Sequence, residues 1–350
     1  MRTVHVVVPD GLDDPAEPSG GNRYDRRVCQ GLAATGWSVV ECPVAAPAAL
    51  SGRLAAIPDG GLVLVDGLIG STAADSVLAA ANRLRLVLLV HLPLGVDPTA
   101  PPDVRTGECA ALAAATAVVA TSEWTRAWLV REYALDPGQV RVARPGVDPA
   151  ERAPGTPGGG HLLCVGAVTP GKGLDVLVEA LDGIVDLSWQ CTVAGSLTRD
   201  PAFAARVRRR AQGDGSEGRV TWAGPLDDAG LVTAYAAADL LVVASRAETY
   251  GMVVTEALSR ALPVVATDVG GLPDTLGHAA DGARPGVLVP PDDPGALARA
   301  LRQWLTEPRL RDQLRLNALD RRTRLTGWDD TTDEITRLLL SVGRSERVLR

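Results

Sequence analysis

Residues 245–256 read SRAETYGMVVTE, and the segments on either side of them decide how the chain is organised. An apolar run at 238–245 (ADLLVVAS) leads in, and a helical pattern from 252 to 261 leads out. The stretch therefore reads as the end of a strand, a tight turn at Tyr250 and Gly251, and the start of a helix. The first backbone N–H groups of a helix have no partner within it, and with the helix dipole they attract a phosphate. Glu248 lies before that start and Glu256 along the helix. At about 1.5 Å of rise per residue the two carboxylates stand very roughly 10 Å apart. That span suits a ligand with a diphosphate in the middle and hydroxyls at both ends, the layout of a nucleotide-sugar, because carboxylates accept hydrogen bonds from hydroxyls. Taken alone, Glu-x7-Glu reads more simply as two solvated helix carboxylates.

Immediately downstream, residues 262–271 (LPVVATDVGG) form a buried-type strand followed by a Gly-Gly turn. With this second half included, residues 245–271 closely resemble the nucleotide-sugar signature of retaining GT-B glycosyltransferases, family 4, and the likeness runs through both halves of the chain. The resemblance implies that Glu248 holds donor-sugar hydroxyls and that the backbone at Tyr250, Gly251 and Met252 meets the diphosphate. It assigns Glu256 to the ribose hydroxyls, and it sets the Gly270 and Gly271 amides against the donor.

Further out, buried-type strands alternate with helices. Strands are expected at 3–8, 37–41, 62–66, 86–91, 117–121 and 140–142, with helices near 22–35, 71–83, 104–115 and 123–133. Residues 153–160 (APGTPGGG) break the pattern and read as a linker. The alternation restarts with strands at 161–165, 189–194, 219–223, 240–244, 263–267 and 286–289. Helices are expected near 173–182, 201–212, 227–237, 251–261, 294–306, 308–320 and 329–342. This pattern belongs to parallel, doubly wound sheets. The expected division is an N-terminal acceptor-binding domain at 1–152 and a linker at 153–160. A nucleotide-sugar-binding domain follows at 161–325, then a C-terminal helix and tail at 326–350. Two Rossmann-like domains facing across a cleft match the GT-B arrangement, with the last helix crossing back to the first domain.

Composition narrows the function classes. Net charge is −7 and aromatics make up 3%, which argues against a nucleic-acid binder and weakens docking on anionic lipid. Five scattered cysteines without a C-x-x-C pair read as reduced packing residues. Four histidines form no metal-ligand spacing, so no metal is expected. The N-terminal apolar run is too short for a signal peptide, and no run reaches membrane-spanning length. A soluble, cytoplasmic protein is the expectation, with contact to a membrane surface left open.

The chain has a single lysine, Lys172, and otherwise uses arginine. A compact ammonium where a guanidinium would fit badly is a chemical reason for keeping it; chance placement is the other. It lies in residues 166–173 (GAVTPGKG), after a strand and before a helix. This nearly spells the P-loop G-x-x-x-x-G-K-[ST], but Gly173 replaces the magnesium-binding hydroxyl. In the resembling family this loop carries an Arg just after Gly166 and a Lys-Gly later. Lys172 and Gly173 match; Ala167 does not match the Arg, so one of two expected diphosphate cations is missing, unless Arg246 or another Arg replaces it.

Gly20 and Gly21 end the loop after the first strand and let a backbone approach closely; in the family a matching Gly-Gly lies near donor phosphate and acceptor. His91 ends a strand and reads either as a satisfied strand-end histidine or, by the resemblance, as a donor-sugar residue. Asp66, Ser122 and Glu123 also sit at strand ends, Glu123 more simply as a first-turn carboxylate. Arg23, Arg26 and Arg27 are a basic cluster that is either solvated or suited to an anionic acceptor.

The resemblance thus implies a metal-independent retaining transferase taking a nucleotide-sugar donor and a small-molecule acceptor. Glu248, Lys172 and His91 would be at the reacting centre, with Gly20, Gly21, Gly166, Gly173, Arg246, Tyr250, Gly251, Met252, Glu256, Gly270 and Gly271 binding the donor. A non-catalytic sugar-nucleotide-binding protein, a GT-B phosphorylase or epimerase, and a P-loop NTPase are the alternatives.

Overall fold

Strands such as Leu62–Asp66, Leu240–Val243 and Val264–Thr267 are buried at every position. Only a sheet covered on both faces accommodates that pattern. The computed structural model describes residues 2–97, 99–213 and 216–344, and it contains two such sheets, each of six parallel strands.

In chain order the first half runs β1 (Arg2–Pro9), α1 (Gly20–Ala34), β2 (Trp37–Val44), α2 (Leu50–Ala55), β3 (Leu62–Asp66), α3 (Gly67–Thr72), α4 (Ala74–Ala81), β4 (Arg85–Val90), α5 (Pro102–Ala114), β5 (Ala117–Ala120), α6 (Glu123–Glu132) and β6 (Val140–Val142). The second half runs β7 (His161–Val165), α7 (Leu174–Asp182), β8 (Gln190–Ala194), α8 (Pro201–Arg210), β9 (Val220–Gly224), α9 (Asp228–Ala237), β10 (Leu240–Val243), α10 (Met252–Ser259), β11 (Val264–Thr267), α11 (Leu272–Leu276), β12 (Gly286–Val289), α12 (Pro294–Thr306) and α13 (Pro308–Arg322). The last helix is α14 (Trp328–Arg344).

The chain divides into two compact units. One holds the residues up to Asp14, Ser19–Gly146 and the chain from Gly327 onward; the other holds Pro15–Pro18 and Val147–Thr326. The last helix thus belongs with the first sheet. Ile335, Leu338, Leu339 and Val342 of α14 join Val28 and Leu32 of α1 over one face of that sheet. Leu50, Val77, Leu112 and Leu129, from α2, α4, α5 and α6, cover the other. In the second unit Leu177, Phe203 and Leu301 pack on one face, and Tyr235, Val254, Leu258 and Leu272 on the opposite one.

Strand order places the ligand crevices. The first sheet runs β2-β1-β3-β4-β5-β6 and the second β12-β11-β10-β7-β8-β9. Order reverses between β1 and β3 and between β7 and β10. In open α/β sheets ligands bind beyond the carboxyl ends of the strands at such a reversal. Gly20 follows β1 and Asp66 ends β3; Gly166 and residues 245–248 follow β7 and β10.

Three details depart from the sequence pattern. The single helix expected at 71–83 is two, α3 and α4, because Asp66 caps a helix that begins directly after β3 by accepting the Ile69 amide at 3.0 Å. The break falls at Ala73, whose φ/ψ is −123°/45°. β2 extends to Val44 through Pro43, which is tolerated because β2 is an edge strand and one missing N–H faces no neighbour. The short helices α2 and α11 have too few residues to show a helical period.

The stretch 153–160 lies within the second unit and is tied down by one buried carboxylate. Asp239 accepts from the Thr156 amide, from Thr156 Oγ1 at 2.7 Å and from the His161 amide at 3.0 Å, and it pairs with Arg315 at 3.2 Å. Trp304 Nε1 donates to the Gly159 carbonyl at 2.7 Å. Removing one partner of a buried network leaves the others unpaired, which costs about 3 kcal/mol. Asp239→Ala should therefore lower unfolding stability in urea by about 3 kcal/mol; a loss below about 1 kcal/mol, the size of an exposed pair, would contradict this role.

Candidate functional site

In the second unit the site is built on two turns that meet. The 166–173 loop ends in a 3-10 turn at Pro170–Lys172, and Lys172 Nζ donates to Glu248 Oε2 at 2.6 Å. The lysine side chain is 38% exposed and Glu248 16%, so the pair is half-solvated. Gly173 permits the meeting: its φ is +64°, and a Cβ there would lie 2.0 Å from the Ala244 carbonyl oxygen. Gly270 does the same from the other side, since a Cβ would lie 1.8 Å from the Glu248 carbonyl oxygen.

Arg246 holds the lysine turn in place. Its guanidinium donates to both carboxylate oxygens of Asp175, at 2.9 and 2.8 Å, to Asp292 at 2.6 Å and to the Pro170 carbonyl. Its backbone amide donates to Gly171 O at 2.9 Å. These partners raise the Arg246 pKa, the Asp175 hydrogen bond foremost, against the cost of burial. Burial pushes the Asp175 carboxyl up, but Arg246 outweighs it and the pKa ends below the ordinary range. The guanidinium is thus committed to the protein's own carboxylates and carbonyl.

Of the residues read from the sequence, Gly251 is the N-cap of α10, at φ +87° with no side-chain cap on the helix start. Gly173 likewise precedes α7 without a side-chain cap. Met252 opens α10, and Tyr250 is buried. Gly166 follows β7, with the Lys172 stem 3.7 Å from where a Cβ would sit. Glu256 Oε2 accepts from Tyr235 OH at 2.9 Å. The Gly271 amide is taken by the Glu248 carbonyl at 2.9 Å, so in this structure it shapes the turn.

The first unit gathers a separate set. α1 begins at Gly20, capped by Ser19, which accepts the Asn22 amide. A Cβ on Gly21 would lie 3.2 Å from His91 Cδ2, so the bare backbone packs on the imidazole. His91 Nε2 lies 2.8 Å from Asp25 Oδ1 and 3.5 Å from Asp66 Oδ2. Tyr24 meets the ring edge-on, with centroids 5.3 Å apart. Burial disfavours the imidazolium, but the two carboxylates outweigh it and raise the His91 pKa. Asp66 is pushed up to about 6, first by burial and then by the charge of Asp25. Asp25, Asp66 and His91 each offer a ligand atom within 4.8 Å of the others, a set that could hold a metal ion.

Other strand-end candidates serve local structure. Ser122 caps α6 through the Thr125 amide, and Glu123 pairs with Arg144 at 3.5 Å on the surface. In the basic cluster Arg26 is bound by Asp13 and Glu41 at 2.6 Å each, and Arg27 lies over the Trp328 ring. Asp25, Asp175, Asp292 and Tyr235 carry no sequence signal of their own, because each is defined by a partner distant in the chain.

A sequence profile of the glycosyl transferases group 1 family matches residues 155–321. A D-inositol 3-phosphate glycosyltransferase from Catenulispora acidiphila is 34% identical over 306 residues, covering 80% of this chain and 70% of the relative. One from Kineococcus radiotolerans is 34% identical over 263 residues, covering 68% of this chain and 60% of the relative, so the chain spans less than two thirds of that protein. Among solved structures, sucrose-phosphate synthase from Thermosynechococcus elongatus superimposes with a TM-score of 0.79 at 24% identity, covering 98% of this chain and 99% of the other. That likeness shows the fold.

The folded chain holds a proton on Asp66 that the unfolded chain releases. Stability from this group is present below the ordinary carboxyl range and is lost as pH rises through about 6. His91, also raised, has the same sign: its contribution is present below about pH 6.5 and is lost above that as pH rises through its folded value. Relative to Asp66→Asn, the unfolding midpoint of the natural chain should fall between about pH 4 and pH 6 and then level off. A flat difference across that window would contradict the Asp66 environment.

Proposed function

The chain belongs to the group 1 glycosyl transferases, and we propose that it moves a sugar from a nucleoside diphosphate donor to a small soluble acceptor, with retention at the anomeric carbon, as a family 4 enzyme. The observation that carries the reading is the Lys172–Glu248 pair at 2.6 Å, set at the β7/β10 reversal beside the uncapped start of α10.

In this reading the diphosphate lies against the first amides of α10 and the Lys172 ammonium. An ammonium has three donor hydrogens, so Lys172 can keep its bond to Glu248 and still reach phosphate oxygens. Glu248 accepts from donor-sugar hydroxyls, and Glu256, oriented by Tyr235, accepts from the ribose. By the family resemblance His91 is a donor-sugar residue. The bond from the anomeric carbon to the leaving phosphate oxygen breaks as the acceptor oxygen bonds to the same face. The acceptor proton passes to the departing phosphate. Lys172 and the α10 dipole stabilise the charge that grows there.

With Ala167 where the family carries an Arg, and Arg246 engaged by Asp175 and Asp292, Lys172 carries most of the cationic contribution. Arg246 acts as the clamp that positions the lysine turn. No step in this scheme requires a metal. The relatives named for D-inositol 3-phosphate make a phosphorylated cyclitol the first acceptor to assay.

A panel of nucleoside diphosphate sugars should include one that raises the unfolding midpoint, because a ligand bound to the folded state stabilises it. With that donor, Lys172→Ala should lower turnover by about a hundredfold or more, and Glu248→Gln should also lower it strongly, both with little change in the unliganded midpoint. The product's anomeric proton coupling reports stereochemistry. If no donor shifts the midpoint, or Lys172→Ala transfers at the natural rate, the proposal fails.

A further inference from the structure

The buried cluster in the first unit contains a carboxylate that the transfer scheme does not use. Asp25 is only 3% exposed, lies on α1 and sits 66 positions from His91 in sequence. Such a carboxylate is costly to bury unless it holds a partner. Its Oδ1 takes His91 Nε2 at 2.8 Å, and its Oδ2 is buried without a hydrogen-bond partner. Asp66, from the end of β3, approaches the same imidazole nitrogen at 3.5 Å. It is itself anchored by the Ile69 amide at 3.0 Å, so neither acid is free to swing away.

Two further groups line the ring. Gly21 lies against one side, and the edge-on Tyr24 ring against another. Tyr24 is itself fixed, its hydroxyl donating to the Ala143 carbonyl at 2.9 Å and its ring meeting Trp328 of α14. The His91 side chain keeps 18% of its surface exposed. A carboxylate that fixes a histidine's tautomer and orientation behind the reacting surface is a recurrent way to ready an imidazole for work.

Resting on the transferase reading and on the resemblance that makes His91 a donor-sugar residue, we propose that Asp25 is a positioning residue for His91, with Asp66 as the second carboxylate behind the same ring nitrogen. Asp25 from α1 and Asp66 from β3 are charged groups that act on the imidazole, and both favour its protonated form. Removing either charge lowers the pH at which the ring loses its proton, and removing Asp25 lowers it more because it is closer.

The whole chain has four histidines, so selective ¹³C-histidine labelling with His91→Gln as the assignment control gives a titration of His91 without any substrate. Asp25→Asn, nearly isosteric, should move the His91 midpoint down by about one pH unit or more; Asp66→Asn should move it less, and Asp25→Glu should return it toward the natural value. With the donor identified by thermal shift, Asp25→Asn should lower kcat about tenfold or more with a smaller change in donor KM, and shift the alkaline limb of the pH profile to lower pH. Should Asp25→Asn fail to fold, the Asp66→Asn titration decides instead. A His91 midpoint unmoved in the folded variant overturns the positioning role. Because that readout needs no turnover, it separates failure here from failure of the transferase reading, which would appear as a shifted midpoint in a protein that transfers nothing.

Discussion

One ammonium against one carboxylate organises the second unit. Lys172 and Glu248 come from turns that follow different strands, and they meet only because the backbone is allowed to approach closely on both sides. Gly173 lets its turn sit against the Ala244 carbonyl, and Gly270 lets the turn after β11 sit against Glu248. Arg246 then locks the lysine turn by gripping Asp175, Asp292 and Pro170. A half-solvated pair of this kind adds little to stability. The arrangement holds a positive group in place through the protein's own contacts, and under the proposed transferase reading such preorganised charge would stabilise a charged transition state.

Much of this was legible in the sequence. The apolar runs around 240–243 and 264–267 could only be strands covered on both faces, and their alternation with helices implied two doubly wound sheets, which the structure has. Lys172, Glu248, Gly251 and Gly270 were visible because glycine and a charged residue share a short loop between a strand and a helix. Partners were not visible. Asp175 and Asp292 are far from Arg246 in the chain, Tyr235 is 21 residues from Glu256, and Asp25 reads as an ordinary residue of an amphipathic helix. No local pattern encodes which side chain a fold will place opposite another. Arg246 shows the effect most plainly: nothing near it in sequence signals that Asp175 and Asp292 will bind it. The break between α3 and α4 was hidden similarly, because a cap taken from the last residue of a strand leaves no helical period to read.

The first unit uses charge in a different way. Asp25, Asp66 and His91 are withdrawn from water, where an unpaired ion is costly and titrations become coupled. The cluster persists because its members compensate one another: His91 offsets the acids and binds Asp25, and the Ile69 amide holds Asp66. The half-solvated pair on one unit and the buried cluster on the other follow the same topological logic, since each lies beyond strand ends at a reversal of strand order.

Donor affinity measured calorimetrically as a double-mutant cycle over Lys172→Met and Glu248→Gln tests the central claim most directly. If the pair grips the donor as one unit, each single substitution weakens binding, and the double substitution weakens it by clearly less than the sum. Strictly additive losses, or affinity untouched by either change, would contradict the account.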